Sequence, residues 1–190
     1  MVFNLAGLHL GDVLLAAPCM RRGDSVIVGK RHRVPGLPVS WLDAGTGVSA
    51  HVAHGRHMTD AWMRATGREA VRHEIQPALP KRHIVIAPDV AALGKRWHGW
   101  ADLRRALPQA IIVGADMCRA GWMALLNTAH TVICPDTGTA HMADALGCRV
   151  VGLYGRQFET FAPFWDRSHC VARDGMASIT VRDVLEAVHG

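Results

Sequence analysis

A chain of 190 residues with 49% hydrophobic and 19% charged side chains has enough apolar material for one domain or two small ones, and no apolar run approaches the ~18 residues of a membrane span. The net charge of +5 favours phosphorylated ligands, anionic surfaces or nucleic acid, but the basic residues are dispersed in pairs such as Arg21-Arg22 and Lys81-Arg82 and form no nucleic-acid arm. The five cysteines, at 19, 118, 134, 148 and 170 and without a C-x-x-C pair, argue against a disulfide framework and a structural zinc site, and the N-terminus lacks the basic-then-apolar pattern of an export signal, which predicts a cytoplasmic protein.

In chain order, residues 2–6 predict a strand, 12–20 a helix and 25–29 a second strand, with a third at 39–42. Residues 57–66 predict a helix with Met58, Trp62 and Ala65 on one face. The stretch 67–82, with Pro77 and Pro80 and no periodic pattern, predicts a linker. The second half alternates more clearly. Apolar runs at 83–87, 110–113, 131–134 and 149–154 lack polar alternation, as parallel strands covered on both faces should. Between them, Trp100, Leu103 and Leu107 mark a helix that Pro108 ends, and 117–129 a helix with Trp122, Leu125, Leu126 and Ala129 on one side. Residues 138–146 predict a third, closed by Gly147. Thr180-Val-Arg-Asp183 reads as a capping box opening a last helix. The fold class is α/β, with doubly wound parallel sheet in two lobes, residues 1–80 and 81–190, and two such lobes facing one another would leave a cleft.

Four clusters could carry chemistry. Asp136, Thr137 and Gly138 fall where a buried strand meets a helix, a junction that suits an anion such as a diphosphate; the alternative is that Asp136 or Thr137 only caps the helix. His141, one turn on, would donate to phosphate or brace the loop. Gly94-Lys95-Arg96-Trp97-His98-Gly99-Trp100 follows another strand, so Lys95 would neutralise a diphosphate leaving group, or belong to an ordinary basic loop; either tryptophan could stack on a base or anchor the helix, and spacing puts Trp100 on the core face. Gly7-Leu-His-Leu-Gly11-Asp12-Val13 leads from the first strand into the first helix, where Asp12 would act as general base on a sugar hydroxyl or only stabilise the dipole. His51, His54 and His57 form the densest histidine cluster, but no carboxylate or cysteine completes a metal set, and they read as a polar loop. There is no Walker loop, G-x-G-x-x-G or G-x-S-x-G.

Taken together, Gly11-Asp12-Val13, Lys95-Arg96-Trp97 and Asp136-Thr137-Gly138-Thr139-Ala140-His141 resemble the marks of glycosyltransferase family 9, the ADP-heptose heptosyltransferases of lipopolysaccharide core synthesis. Ala145-Leu146-Gly147, residues 150–155 and Phe161-Ala162-Pro163 resemble the family's following helix, strand and loop. The resemblance implies a GT-B-like fold of two Rossmann-like lobes, the acceptor bound mainly by the first, here much reduced, and the nucleotide sugar by the second. It implies an inverting transfer that needs no cofactor and no metal, from a nucleotide-diphosphate sugar such as ADP-heptose to a saccharide acceptor of the lipopolysaccharide type. On matching positions, Asp12, beside Gly11 in the acceptor-side loop, would be the catalytic base. Lys95 would be the catalytic cation that holds the diphosphate, and Asp136, Thr137, Gly138, Thr139 and His141 would line the diphosphate site.

Three departures stand out. The chain is shorter than typical members, Val90-Ala-Ala-Leu-Gly94 carries no hydroxyl where the family often offers one to phosphate, and only Asp116 is at hand to replace a carboxylate that the family brings near the nucleotide ribose. The second hypothesis is therefore a non-catalytic nucleotide or nucleotide-sugar binding module, and the third, resting on net charge and six tryptophans alone, a nucleic-acid-directed protein; no nucleic-acid partner is expected. Assembly with a second copy and peripheral contact with a membrane stay open.

Overall fold

The computed structural model describes residues 1–5, 10–28, 33–34, 37, 39–42, 47, 57–76, 79–114 and 116–190. The chain divides into two compact units, Met1–Pro77 with Glu159–Phe161, and Ala78–Phe158 with Ala162–Gly190.

In the first unit, β1 (Val2–Asn4), β2 (Ser25–Ile27) and β3 (Ser40–Leu42) form a parallel sheet in that order, with Phe3 opposite Val26 and Val26 opposite Trp41. Helix α1 (Leu10–Ala16) runs into a 3-10 turn at Ala17–Cys19, because Pro18 cannot donate a helical hydrogen bond. Helix α2 (Met58–Thr66) starts at His57, whose Nδ1 accepts from the Thr59 N–H at 3.1 Å, and stops at Gly67, where φ is +66°. Its buried face differs from the expected one: Thr59, Ala61 and Trp62 face inward and Ala65 is exposed. Thr59 can face inward because its hydroxyl donates to the Leu15 carbonyl at 2.8 Å, while Trp62 packs on Phe3 with ring centroids 5.5 Å apart.

The expected linker is shorter than residues 67–82. The Val71 N–H donates to Pro18 O at 2.8 Å, His73 Nε2 lies 3.0 Å from Ala17 O, and Ile75 is buried. Arg68 reaches buried Asp24 with both terminal guanidinium nitrogens and also donates to Cys19 O. Residues 68–75 are thus part of the first unit, joined to it through backbone groups and single side chains that leave no periodic trace in the sequence.

In the second unit, β4 (His83–Ile86), β5 (Ile111–Ile112), β6 (Ala129–Pro135), β7 (Arg149–Tyr154) and β8 (Val171–Ala172) form an all-parallel sheet in the order β5-β4-β6-β7-β8. Ile84, Ile86, Ile133, Val151 and Leu153 alternate onto one face, in one core with Leu103 of α3 (Trp100–Ala106) and Val184 and Val188 of α7 (Val181–His189). Helices α4 (Arg119–Thr128) and α5 (Gly138–Ala145) pack together, and α5 lies against β6 and β7. A four-residue helix, α6 (Phe158–Phe161), follows β7, and its Glu159–Phe161 belong to the first unit. On α4 the buried residues are Met123, Leu126 and Asn127, and Trp122 is left half-buried, one step around the helix from expectation.

Local signals set the helix ends here. Gly147 takes φ +71° after α5, and the Gly147 and Cys148 N–H groups donate to the carbonyls of Asp144 and Ala143, the paired bonds of a Schellman motif. Thr180 and Asp183 form the expected reciprocal capping box of α7. The edge strand β8 was not anticipated, because two residues carry no periodicity. Among the described residues no helix is long and apolar enough to cross a membrane.

Asp24 is the polar anchor of the first unit. Burial works against its charge, but hydrogen bonds from Arg68, the N-terminal ammonium and the Arg21 amide outweigh burial, and its carboxyl pKa falls to about 2. Asp24→Asn is expected to lower stability by about 2 kcal/mol at neutral pH, read by chemical denaturation. Because the folded value lies below the ordinary 3.8, the wild-type advantage is present above that pH and is lost as pH falls toward 2; a gap between the two proteins that does not change from pH 6 to pH 2 would remove Asp24 from this role.

Candidate functional site in the second unit

The chain leaves β4 to build β5 on one side, then returns past β4 to build β6 on the other. The loops leaving β4 and β6 therefore part at their carboxyl ends, and a parallel sheet has its natural ligand crevice at such a switch in strand order.

Lys95 and Asp136 meet there. Lys95 closes a 3-10 turn, Leu93–Lys95, in the β4–α3 loop, and its Nζ lies 2.6 Å from Asp136 Oδ2. The Asp136 side chain is 8% exposed and that of Lys95 37%. The Asp136 N–H donates to Leu153 O at 3.1 Å, which extends the β6–β7 pairing one residue past Pro135 and fixes the carboxylate to the sheet. Thr137 is the N-cap residue of α5, in extended conformation, yet its side chain makes no capping bond and its buried Oγ1 has no hydrogen-bond partner. Of the two expected readings, helix capping by Thr137 is therefore not what is found. The helix start instead combines a positive dipole end, an uncommitted hydroxyl and the Lys95 ammonium, a set suited to an anion with several oxygens.

Gly138 opens α5, and Thr139 on its first turn lines a cavity of about 180 Å³ together with Asp89, Gly114, Met117 and Trp122. Asp89 also lines a larger cavity of about 410 Å³, with Arg96, Trp97, His98 and Trp100. His141 lies within α5 and is buried, where it belongs to the helix's packed side. Trp97 is the buried tryptophan of the β4–α3 loop, and Trp100, which opens α3, packs against the same core as its spacing suggested. The Trp97 Nε1 donates to Ile179 O at 2.8 Å, and its ring leaves no room for a Cβ on Gly99. Trp100 is half-buried and meets Trp97 edge to face, with centroids 4.9 Å apart. Trp97 thus anchors the loop that carries Lys95.

Sequence reasoning missed Asp144. It is 3% exposed, in the last turn of α5, and its carboxylate accepts the N–H groups of Phe164 and Trp165 at 2.9 Å and of Asp166 at 3.2 Å. The available signal was an acid in a short helix whose buried residues also include Ala140, His141, Met142 and Ala143. Behind the site, burial pushes the Cys134 thiol and the Tyr154 phenol well above their ordinary values, so both stay protonated and neither serves as a base.

In the first unit, Gly11 and Asp12 lie inside α1, in its first turn, and not in a loop; the preceding residues 7–9 fall outside the described residues. Asp12 is half-buried at the positive end of that helix. Of the histidine cluster, His51 and His54 fall outside the described residues, and His57 is the buried cap of α2. Among the described residues no group of three His, Cys, Asp or Glu could hold a metal ion.

Residues 115–184 match the family described as glycosyltransferase family 9 (heptosyltransferase). The chain is similar to family 9. The family segment runs from the β5–α4 loop into the first turn of α7, and so contains Asp136, Thr137, Gly138 and Asp144. The fold is also that of E. coli heptosyltransferase WaaC, solved with ADP, at a TM-score of 0.74 and 12% identity over 99% of this chain and 98% of that one. A family 9 glycosyltransferase from Veillonella parvula gives 0.73 and 12% over 99% and 95%. The dodecameric iron-containing glycosyltransferase TibC of enterotoxigenic E. coli gives 0.69 and 14% over 99% and 75%. The likeness reaches both units, although the family match, apart from Glu159–Phe161, lies in the second. A sequence comparison with curated proteins gives no match.

Asp144→Ala strands three amide donors and is expected to cost about 3 kcal/mol, read as a lowered denaturation midpoint. A loss below about 0.5 kcal/mol, the scale of an ordinary surface substitution, would show that the turn 164–166 is held by other contacts.

Proposed function

We propose that this protein is an inverting, metal-independent glycosyltransferase that moves a sugar, heptose in the first instance, from a nucleotide-diphosphate sugar to a saccharide acceptor such as lipopolysaccharide core. The observation that carries the reading is the convergence of Lys95, Asp136 and the start of α5 at the sheet's switch point. The likeness to a heptosyltransferase solved with ADP supports the choice of nucleotide.

In this reaction the acceptor oxygen attacks the anomeric carbon as the bond from that carbon to the diphosphate oxygen breaks. Charge then builds on the departing diphosphate. The Lys95 ammonium, the α5 amides and the Thr137 hydroxyl are the groups that would receive it, and they supply the positive field that a divalent cation would otherwise provide. Asp136 holds the ammonium in place before the ligand arrives, leaving a cation already oriented toward the helix start. Asp12, in the first turn of α1, takes the proton from the acceptor hydroxyl. The protein works in the cytoplasm, where nucleotide sugars are made.

A second reading, a nucleotide-binding module without transfer, is favoured by one feature. The β4–α3 loop carries apolar Val90, Ala91 and Ala92 ahead of Leu93, which is 74% exposed, with no hydroxyl for a phosphate.

Calorimetry with ADP, ADP-heptose, UDP and GDP tests the site. Selective binding is expected, and Lys95→Ala should weaken it roughly tenfold or more by removing a charge-assisted contact. No binding across the panel would overturn the nucleotide reading. Transfer assays separate the two readings: Asp12→Asn should abolish turnover while leaving ADP affinity within about twofold, because a base acts on the reaction and not on donor binding. Undiminished turnover in that variant removes Asp12 from the mechanism, and ADP binding with no transfer to any acceptor by the wild type favours the module. Turnover that collapses with chelator and returns with added metal would overturn the metal-free mechanism.

A further inference from the structure

We infer that the larger cavity of the second unit, of about 410 Å³, is a saccharide-binding site that takes a sugar residue of the acceptor. This rests on the reading above of the protein as a glycosyltransferase. It adds a contact in the second unit to an acceptor that the family resemblance assigns mainly to the first.

The β4–α3 loop builds this cavity around an anchored point. Pro88 and Asp89, which follow β4, line it together with Arg96, His98 and Trp100 from the far end of the loop. Between Arg96 and His98, Trp97 is buried and its Nε1 donates to Ile179 O at 2.8 Å, while its two neighbours are exposed. The anchor fixes where both outer side chains start, which lowers the cost of ordering them on a ligand.

The chemistry of the lining selects the ligand. Arg96 and Asp89 carry opposite charges in one cavity, yet among the described residues neither takes part in a hydrogen bond or ion pair, with the other or with anything else. The guanidinium only donates and the carboxylate only accepts, so a ligand that does both at neighbouring atoms satisfies the two together, as the hydroxyls of a sugar do. Half-buried Trp100 supplies an apolar indole surface for the C–H face of the ring. A bare phosphate or sulfate would meet Arg96 but be repelled by Asp89. The volume falls in the range of small-molecule sites.

The sugar is the acceptor's, because the donor's is tied to the diphosphate. Among the described residues, none of Lys95, Asp136, Thr137 and Gly138 lines this cavity, so a sugar bonded to a diphosphate at those groups has its first atoms outside it. The acceptor carries no such tether.

The test is calorimetric titration of lipopolysaccharide core oligosaccharide, freed of its acyl chains, and separately of ADP and ADP-heptose, into the whole chain as wild type, Arg96→Ala and His98→Ala. Both residues are exposed and have no partner among the described residues, and melting curves verify that the variants are folded. The wild type should bind the oligosaccharide with no nucleotide present. Arg96→Ala should weaken that binding about tenfold and His98→Ala about threefold, and both should keep their ADP and ADP-heptose affinities within about twofold. Oligosaccharide binding that is absent from the wild type, or undiminished in either variant, would overturn the assignment while leaving the nucleotide reading intact. A loss of ADP-heptose affinity as large as the loss for the oligosaccharide would overturn it too, by giving the cavity to the donor. Failure of the wild type to bind ADP or ADP-heptose removes the nucleotide reading instead, and the oligosaccharide titrations still decide the cavity.

Discussion

Parallel strands are the constraint from which the rest follows. When every strand of a sheet runs the same way, all loops that leave carboxyl ends gather at one edge, and every helix returning from that edge starts there with its positive end. In the second unit this brings a lysine from one loop and an aspartate from another, 41 positions along the chain, to a 2.6 Å contact beside a helix start. The sheet also fixes the aspartate, because the Asp136 N–H continues the β6–β7 ladder. The lysine side of the pair remains more than a third exposed, so the contact contributes little to stability. Its importance is positional: it aims a mobile cation.

Polar anchoring has a separate role. Asp24 in the first unit and Asp144 in the second are almost fully buried carboxylates that each collect several donors, Asp24 from Arg68, Arg21 and the N-terminal ammonium, Asp144 from three consecutive backbone amides. Small α/β units bury a smaller fraction of their surface than large ones, and such acids hold irregular segments that the apolar core does not reach. In the first unit the segment is 68–75; in the second it is the connection from α6 to β8.

What the sequence showed, it showed through local chemistry. The turn at Asp136-Thr137-Gly138, the stop at Gly147 and the box at Thr180 and Asp183 each depend on residues within a few positions of one another, and the apolar runs of β4, β6 and β7 suffice to mark buried parallel strands. What it hid depends on distance. The Asp24–Arg68 pair spans 44 positions, and the inward Thr59 is explained only by a carbonyl 44 residues earlier. Spacing marked Trp100, which does pack against the core, but not the more deeply buried Trp97, whose partner, Ile179 O, lies 82 residues on. Asp144 looked like any polar residue near a helix end until its three amide partners were seen.

The Asp144 clamp also bears on how freely its partner segment can change. It binds main-chain N–H groups, which every residue except proline carries, so these three bonds do not themselves require particular side chains at 164–166. Phe164 and Trp165 are half-buried and meet edge to face with ring centroids 5.0 Å apart, a side-chain contact separate from the three amide bonds. The fold thus fixes the shape of a short connection through its backbone, from a single side chain on the preceding helix.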